Sequence, residues 1–508
     1  MKIVVRADAG FGIGGGHVMR GLALALAARA AGHDVVFVTA DVPGTLADNI
    51  RTAGFEVAVL GADGNLDGTA VEHWRPLPIA IDVAQSLPAC QGADWIVLDH
   101  YGLGGAWVRA LRRHLPDIRI LALDDLDREP LFADILLDPA DVTGVRTQPR
   151  LSLLAGPGYA LLRPEFAALR RDALTKNTGR RVLILPGMLD GAGLAPAALT
   201  AMQDRTDLDV EVIMGSQSES RTTVEAMVAG RPNWSLSLDV PDMATRMAQA
   251  DFCIGAGGGT AWERCCLGLP SVAVAVAQNQ VPGIAVLETA GAAIGLGPEA
   301  LQEPHQITRA VDHMRRHRAD MSAAAAALCD GMGAARVVAA MDGVLRPVTT
   351  QDARLLFDWR DQPHIRAISL DRSPLDWDTH LVYMHKIAKQ PGDGLWFIYS
   401  EAGRDLGHVN ARDIGDGTWR WSFYIGATDA PGGAGKRMLV AFLRRLFKQP
   451  QITGVAAQVV GGNPVSRHVH ESLGFARVGE NPRGMLEYFL RRCDVEDRLG
   501  LMQDTDTQ

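Results

Sequence analysis

The chain has 508 residues, and at roughly 100 to 200 residues per domain this length predicts about three domains. Hydrophobic residues make up 47% and charged residues 21% of the sequence, which excludes a disordered or collagen-like chain. The net charge of -9 argues against a nucleic-acid or anionic-membrane partner, because binding phosphates in that way needs a basic face. No apolar run approaches the ~20 residues of a spanning helix and no cleavable segment follows Lys2, so we expect a cytoplasmic protein without a membrane partner.

Strand-length apolar runs alternate with helix-length segments through the first 344 residues. This alternation predicts parallel sheets joined by crossover helices. The strand series restarts after a charged, turn-rich stretch near Arg170, which predicts two Rossmann-like domains, residues 1–170 and 171–344, in an α/β fold. The runs are KIVV near the start, VVFVT at Val35, WIVLD at Trp95, ILALD at Ile120, VLILP at Val182, VEVIM at Val210 and SVAVAV at Ser271.

A change to tryptophan-rich alternating strands at Leu345 predicts a third α/β domain with a mixed sheet over residues 345–498, followed by a disordered tail, 499–508. The six cysteines form no C-x-x-C pair and no zinc-like cluster with histidine, so neither a disulfide framework nor a metal is expected. They are Cys90, Cys253, Cys265, Cys266, Cys329 and Cys493.

The first strand leads through a glycine cluster into an apolar helix. Gly14, Gly15 and Gly16 stand directly before His17 and Arg20. Glycines let backbone amides approach a ligand, and the start of a helix offers free N–H groups and a positive dipole end to a phosphate. The pattern predicts an anion site, and a tight strand-to-helix turn is the alternative.

A second glycine loop follows the strand at Phe252. Gly257 and Gly258 open onto a helix at Thr260, which indicates a second anion site. Glu263, one turn into the helix, can accept both hydroxyls of a ribose, or it can cap the first turn. Asn279 and Gln280 follow the next strand, on the sheet edge where α/β folds bind ligands, and offer amides to a sugar or base.

Taken together, these stretches resemble the nucleotide-sugar hydrolases of pseudaminic acid biosynthesis. The second loop is similar to the nucleotide-binding segment of MurG-like glycosyltransferases, which have two Rossmann-like domains in the GT-B arrangement. The matching stretches are Arg6-Ala-Asp8, Ile13 to Arg20, Asp99-His-Tyr101, Asp124-Asp125, Gly158 to Phe166 and Asp242 to Gln280.

The resemblance implies release of UDP from UDP-2,4-diacetamido-2,4,6-trideoxy-β-L-altropyranose, with His17 taking a proton from the attacking water. Asp8 would orient water or an imidazole, and Tyr101 would line the sugar pocket. Pro186 to Asp190 and Asp138 depart from the pattern of the family. The substrate-binding residues would be Gly14, Gly16, Arg20, Gly257, Gly258, Thr260, Glu263, Asn279 and Gln280.

The third domain resembles the GNAT acetyltransferases in two stretches, the loop from Ala430 to Lys436 and the helix from Asn463 to Phe475. This resemblance implies acetyl-CoA as acetyl donor, with loop amides on its pyrophosphate and a backbone amide of the strand on the thioester carbonyl. Ala430 stands where the family usually has Arg or Gln. The cofactor-binding residues would be Tyr424, Ile425, Gly433, Gly435, Lys436 and Asn463.

His470 stands where a tyrosine of that family often protonates the leaving thiolate, and an imidazolium can do the same. A surface histidine is the alternative. The base that takes the proton of the amine is left open among His408, Asp413 and His468.

The two resemblances name consecutive steps, N-acetylation of a UDP-linked 4-amino-4,6-dideoxy sugar and hydrolysis of the product. The sequence therefore predicts a bifunctional enzyme. A GT-B glycosyltransferase with an accessory acyltransferase is the alternative among enzymes, and a nucleotide-sugar binding protein without turnover is the alternative from another class.

Overall fold

The computed structural model describes residues 1–11, 13–61, 74–116, 118–125, 131–142, 152–175, 179–369, 372–389, 394–401, 404–430 and 432–494. The tail predicted to be disordered, 499–508, lies outside these residues. The chain divides into two compact units, Met1–Val338 and Ala339–Gln508.

The first sheet of the N-terminal unit has seven parallel strands in the order β3-β2-β1-β4-β5-β6-β7. Its strands are β1 (Lys2–Ala7), β2 (Asp34–Ala40), β3 (Glu56–Leu60), β4 (Trp95–Asp99), β5 (Arg119–Leu123), β6 (Ile135–Asp138) and β7 (Ser152–Ala155). The helices of this part of the chain are α1 (Gly16–Ala30), α2 (Ala47–Thr52), α3 (Ile79–Cys90), α4 (Gly105–Arg112) and α5 (Pro164–Ala173).

The central strands of this sheet are buried on both faces, as the apolar runs WIVL and ILAL require in a parallel sheet covered by helices. The chain order of the strands reverses between β1 and β4. Ligands of open α/β sheets bind in the crevice at such a point, beyond the carboxyl ends of the strands. The residues that follow β1 and β4 are therefore placed at a ligand-binding edge.

The second sheet has six parallel strands in the order β10-β9-β8-β11-β12-β13, so both predicted parallel sheets are confirmed. Its strands are β8 (Arg181–Leu185), β9 (Asp209–Met214), β10 (Trp234–Leu238), β11 (Phe252–Ala256), β12 (Ser271–Val274) and β13 (Ala293–Leu296). The helices are α6 (Leu194–Ala201), α7 (Arg221–Val228), α8 (Met243–Gln249), α9 (Thr260–Cys266), α10 (Val281–Thr289), α11 (Pro304–Arg316), α12 (Arg318–Leu328) and α13 (Gly333–Asp342).

Helix α5 packs against α8 and α9, and Phe166 lies in the core of the second sheet beside Leu183 and Leu185. By length and composition alone, the helical stretch Arg318–Asp342 could cross a membrane, but 44% of its most apolar window is buried inside the protein. A core helix passes the same criterion, so this stretch is weak evidence for a membrane.

The C-terminal unit contains a mixed sheet in the order β14-β15-β16-β17-β18-β20-β19. Its strands are β14 (Val344–Pro347), β15 (Leu395–Glu401), β16 (Arg404–Asp413), β17 (Thr418–Ile425), β18 (Gly454–Val460), β19 (Ala476–Glu480) and β20 (Met485–Arg491). The helices are α14 (Ala353–Arg360), α15 (Pro363–Ala367), α16 (Trp377–Lys389), α17 (Ala434–Leu446) and α18 (Pro464–Ser472).

The two faces of this sheet have separate cores. Helix α17 packs on Val409 and Ala411, whereas α14 and α16 pack on Trp396 and Ile398. Alternation of side chains along a strand places these two sets on opposite faces. Residues Thr418–Arg420 of β17 pair in parallel with Gly454–Ala456 of β18. Beyond Arg420, β17 has no strand partner on that side among the described residues.

All six cysteines are free thiols. The five in the N-terminal unit are buried, and Cys493 in the C-terminal unit is exposed. Burial raises the pKa of Cys90 and of Cys253 to about 11 and that of Cys265 to about 12.

Candidate functional site

A histidine and an aspartate meet at the point where the first sheet reverses its strand order. His17 lies in the first turn of α1, and Asp99 ends β4 opposite Ala7 of the neighbouring strand β1. The Nδ1 atom of His17 is 2.6 Å from Oδ1 of Asp99, and both side chains are buried. Contact this short with a carboxylate requires a proton on Nδ1, which leaves the lone pair of Nε2 available as a base.

Asp99 forms an ion pair with Arg20, which lies one helical turn after His17 on α1. The guanidinium donates from Nε to Oδ2 of Asp99 at 3.0 Å and from Nη2 to Oδ1 at 2.8 Å. Burial acts to raise the pKa of Asp99, but the Arg20 charge and His17 outweigh it and lower the pKa to about 2. Asp99 is therefore a carboxylate at any physiological pH. Arg20 holds this carboxylate, and its predicted contact with substrate stays a prediction.

Tyr101 joins the carboxyl edges of the two sheets in the N-terminal unit. Its hydroxyl donates to Oδ1 of Asp125 at 2.9 Å and accepts from Nδ2 of Asn279 at 3.2 Å. Its ring meets the ring of His17 edge-on at 4.7 Å. Burial and the Asp125 charge both raise the pKa of Tyr101, so the phenol stays neutral. Ile13, His17, Trp74, His100 and Tyr101 line a narrow crevice here, which has no room for a water molecule in this structure.

Asp8 lies away from His17, which corrects its predicted role in orienting that imidazole. It accepts from Nη1 of Arg6 at 2.5 Å, from the N–H of Ala40 at 2.7 Å and from Nε2 of His100 at 3.0 Å. Burial acts to raise its pKa, but Arg6 and His100 lower it well below the usual range. The donors around Asp8 belong to the protein, and the carboxylate that holds His17 is that of Asp99. The signal for Asp99 was its position at the end of the strand beside β1.

Around the first glycine loop, Gly14 has φ +72° and forms a backbone bridge with Gly10. A Cβ on Gly15 would lie 2.8 Å from Cδ1 of Leu46, whereas one on Gly16 would meet nothing within 4 Å. The start of α1 is therefore open where the predicted anion site needs room. The Sδ atom of Met188, from the stretch that departs from the family pattern, would lie 3.1 Å from such a Cβ on Gly15.

The second loop follows β11. Oε1 of Gln280 accepts from the N–H groups of Gly257 at 3.1 Å and Val276 at 3.2 Å, so this side chain shapes the loop. Its predicted contact with substrate stays a prediction. The N–H groups of Gly258 and Gly259 have no partner among the described residues. They are open to an anion.

Two side chains of α9 were also predicted to bind substrate. The hydroxyl of Thr260 accepts from Nη1 of Arg264 at 3.2 Å. Glu263 is half-buried and its carboxyl group makes no hydrogen bond with a described residue, and burial raises its pKa to about 7 against the opposing charges of Arg163 and Arg264. Capping of the first turn by Glu263 is therefore not seen within the described part of the chain.

The two departures from the family pattern serve the backbone. Asp190 accepts from the N–H groups of Leu194 at 2.8 Å and Ala195 at 3.1 Å, which fixes the start of α6. Asp138 accepts from the N–H group of Ala140 at 2.9 Å. A groove of about 290 Å³ lies at the amino edge of the second sheet, remote from the glycine loops. No group of three metal-ligating side chains is found in the part of the chain that the structure describes.

In the C-terminal unit the predicted cofactor loop precedes α17. Gly433 has φ +75° at the cap of this helix. Lys436 is exposed, whereas Arg437 donates to Oε1 of Glu401 at 2.7 Å and to the carbonyl of Gly432 at 2.9 Å, which holds the loop. The N–H groups at the start of α17 and the exposed ammonium group of Lys436 are suited to bind a pyrophosphate.

The other predicted cofactor contacts lie on β17 and α18. Tyr424 and Ile425 occupy the part of β17 that has no pairing with β18. The Oδ1 atom of Asn463 accepts from the N–H of Ser466 at 3.0 Å, so this residue caps α18. Of the candidate bases, Asp413 and His468 are exposed and His408 is buried.

His470 is not the proton donor that the sequence predicts, nor is it a surface residue. It is 2% exposed, and both of its ring nitrogens are paired. Nδ1 donates to the carbonyl of Ser466 at 2.7 Å, and Nε2 accepts from the indole N–H of Trp421 at 3.1 Å. Burial lowers its pKa. A neutral imidazole that accepts at Nε2 and donates to backbone at Nδ1 has no proton for a thiolate, so His470 stabilises the fold between β17 and α18.

The variant His470→Phe is expected to lower the free energy of unfolding by about 1–3 kcal/mol, because the Trp421 indole N–H is left buried without an acceptor. Urea unfolding of the full chain measures this loss, and the exposed neighbour His468→Phe is the control on the same helix. A stable variant that has lost acetyl transfer would restore the role of proton donor to His470.

Comparison with known proteins gives a family model for one part of the chain. Residues 344–476 match the model described as an acetyltransferase (GNAT) domain. The chain is 31% identical over 156 residues to the spore coat polysaccharide biosynthesis protein SpsG of Bacillus subtilis, which covers 30% of this chain and 46% of SpsG. The chain thus spans less than half the length of that relative. The uncharacterized protein MJ1062 of Methanocaldococcus jannaschii is 20% identical over 507 residues, covering 94% of this chain and 97% of its own.

Two solved structures are similar to parts of the chain. MurG of Acinetobacter baumannii is 15% identical with a TM-score of 0.46, covering 66% of this chain and 98% of its own. The aminoglycoside acetyltransferase AAC(6')-Ib in complex with coenzyme A is 20% identical with a TM-score of 0.28, covering 30% of this chain and 98% of its own. The predicted α/β fold class is confirmed, and the chain carries a C-terminal GNAT acetyltransferase domain behind an N-terminal region similar to SpsG.

Proposed function

We propose that the N-terminal unit hydrolyses a UDP-linked 2,4-diacetamido-2,4,6-trideoxy sugar to free sugar and UDP, as in pseudaminic acid synthesis. The observation that carries the proposal is the pairing of His17 with Asp99. The carboxylate fixes the proton on Nδ1, so Nε2 takes the proton of a water that attacks the anomeric carbon. The bond from that carbon to the diphosphate oxygen breaks, and UDP leaves with the electron pair.

The leaving diphosphate needs charge stabilisation more than it needs a proton. The open start of α1 and the unpartnered N–H groups of Gly258 and Gly259 are suited to supply it. Glu263, beside that second loop, is suited to accept the ribose hydroxyls of the uridine. Tyr101 contacts both the His17 ring and Asn279, and these side chains are suited to line the path of the sugar.

The C-terminal unit, in this proposal, transfers acetyl from acetyl-CoA to the 4-amino group of the UDP-linked 4-amino-4,6-dideoxy precursor. The match to the acetyltransferase model, the glycine loop before α17 and the unpaired end of β17 support the transfer. The product of this step is the substrate of the hydrolysis, which is the reason for joining the two reactions in one chain.

Incubation of the full chain with acetyl-CoA and the UDP-amino sugar tests both reactions together. We expect free thiol to appear first and UDP to follow it without any added sugar acceptor. UDP release that depends on an added acceptor identifies a glycosyltransferase instead. Tight binding of the nucleotide sugar with no product in a single turnover identifies a binding protein.

A further inference from the structure

A buried histidine in the C-terminal unit has an unpartnered ring nitrogen. His408 lies in the middle of β16 and is 6% exposed. Its Nδ1 atom is buried and makes no hydrogen bond in the part of the chain that the structure describes. The two other buried histidines of this unit are paired, since His380 contacts the carbonyl of Ala353 and His470 contacts Trp421. A buried polar atom without a hydrogen bond destabilises the folded protein, so a histidine at this position points to a functional role.

The strand register places His408 beside the predicted site of the thioester. In the antiparallel pair of β16 and β17, His408 lies directly opposite Tyr424, and their rings are 5.3 Å apart. Tyr424 is in the stretch of β17 that has no pairing with β18 and that we assign to the thioester carbonyl. Neighbouring strands lie about 4.8 Å apart, so the imidazole is within reach of a group that attacks there, directly or through one water.

His408 lies on the face of the sheet opposite the one that α17 covers. Its neighbour Val409 packs under α17, so His408 projects to the other face, where α14 and α16 pack. That face remains accessible further along the same strands, because Ser422 is exposed and Asn410 is half-buried. An acceptor can therefore approach from the face that α17 does not occupy.

We propose that His408 is the proton acceptor of the acetyl transfer, and that the amine substrate binds on the face of β16 and β17 that carries His408, Asn410, Ser422 and Tyr424. This assignment rests on the acetyl transfer proposed above and supplies its base. It also ranks the three candidates, since Asp413 and His468 are exposed and Asp413 holds the N–H of Gly415.

In this step the free amine attacks the thioester carbonyl carbon, and a C–N bond forms. The nitrogen becomes strongly acidic once it is bonded to that carbon, and its proton passes to the imidazole of His408. The C–S bond then breaks, and coenzyme A leaves as a thiolate that takes a proton from solvent. The imidazolium returns its proton to solvent, so one amine and one acetyl-CoA give one amide and one thiol.

The surroundings of His408 keep it neutral. Burial alone lowers its pKa to about 4, so above that pH the ring can accept a proton. The titratable ring of Tyr424 on β17 contacts it, and the charge of Arg360 on α14 and the phenol of Tyr383 on α16 act on Tyr424 in turn. Burial raises the pKa of Tyr424, which stays neutral and does not compete for the proton.

The test uses the full chain with the variant His408→Ala and, as control, the exposed His385→Ala of α16. Thiol release is followed with acetyl-CoA and the UDP-amino sugar, and in parallel with benzylamine, a simple primary amine. We expect the rate of His408→Ala to fall by about 100-fold with the Kd of coenzyme A unchanged. Because hydroxide replaces the lost base, the residual rate of the variant should increase about tenfold more per pH unit than the wild-type rate does. Added imidazole should restore part of the lost rate.

A rate within about threefold of wild type overturns the assignment. So does a slow variant that shows neither the steeper pH dependence nor rescue by imidazole, because a merely structural histidine gives that result. Wild-type protein that binds coenzyme A but acetylates neither amine overturns the proposed acetyl transfer and the role of His408 together, whereas an unaffected His408→Ala overturns only the latter.

Discussion

Replacing Asp99 with asparagine is expected to lower the rate of UDP release by about 1,000-fold, close to the effect of removing His17 itself. An amide can donate to Nδ1 of His17, which moves the imidazole proton to Nε2 and leaves no base for the attacking water. The double variant His17→Ala with Asp99→Asn should be little slower than either single variant, because the two residues act as a unit. UDP release by the purified variants is the measurement.

Asp94→Asn, at the other end of the same strand, is the matched control, since Asp94 accepts from the backbone of Lys2 on the surface. Thiol release from acetyl-CoA should continue in all of these variants, because it belongs to the other unit. Near wild-type release of UDP by Asp99→Asn would remove the dyad from the mechanism.

The same substitution has an expected effect on stability at acid pH. The pKa of Asp99 is about 2 in the folded protein, below the ~3.9 of an ordinary aspartate. A carboxyl with a lowered pKa stabilises the fold above its unfolded pKa and loses that contribution as the pH falls through its folded pKa. Wild type should therefore lose stability between about pH 4 and pH 2, and Asp99→Asn should lack this component.

Arg6→Met is expected to cost the N-terminal unit about 3–5 kcal/mol of unfolding free energy. Arg6 is 1% exposed and lies between two buried carboxylates, with Nη1 2.5 Å from Asp8 and Nη2 2.5 Å from Asp82. Without the guanidinium both carboxylates are left buried without their shared positive charge. Urea unfolding, followed by a probe in this unit, measures the loss.

Arg51→Met provides the control, because Arg51 makes an exposed ion pair with Asp48, and such pairs contribute about 0–1 kcal/mol. Neutralising both acidic partners as well, in Arg6→Met with Asp8→Asn and Asp82→Asn, should recover part of the loss. If Arg6→Met unfolds like wild type, the buried charges are compensated by other groups.

The elements of the fold and the glycine loops could be predicted from local sequence, because apolar runs and glycines act over a few residues. The pairing of His17 with Asp99 joins residues 82 apart in the chain, so it depends on which strand lies beside β1. The contacts that Arg20 and Gln280 make within the protein could not be predicted either, since sequence shows their polar groups but not the carboxylate and N–H groups that they hold.

His470 shows the same limit in another way. Its place in the GNAT-like helix implies a residue at the cofactor, but its environment is built by Trp421 of β17, Phe475 after α18 and Tyr488 of β20. Only the assembled sheet brings these rings around one imidazole and determines that Nε2 accepts a proton instead of giving one.

The distribution of the cysteines makes a thiol reagent a reporter of motion in each unit. Cys493 is exposed and should react in the native protein, while the five buried thiols, all in the N-terminal unit, should react only when that unit opens. The raised pKa values of Cys90, Cys253 and Cys265 keep their reactive thiolates scarce even in a brief opening. A single rapid label on the C-terminal unit can therefore be followed by slow labelling that counts opening events in the N-terminal unit.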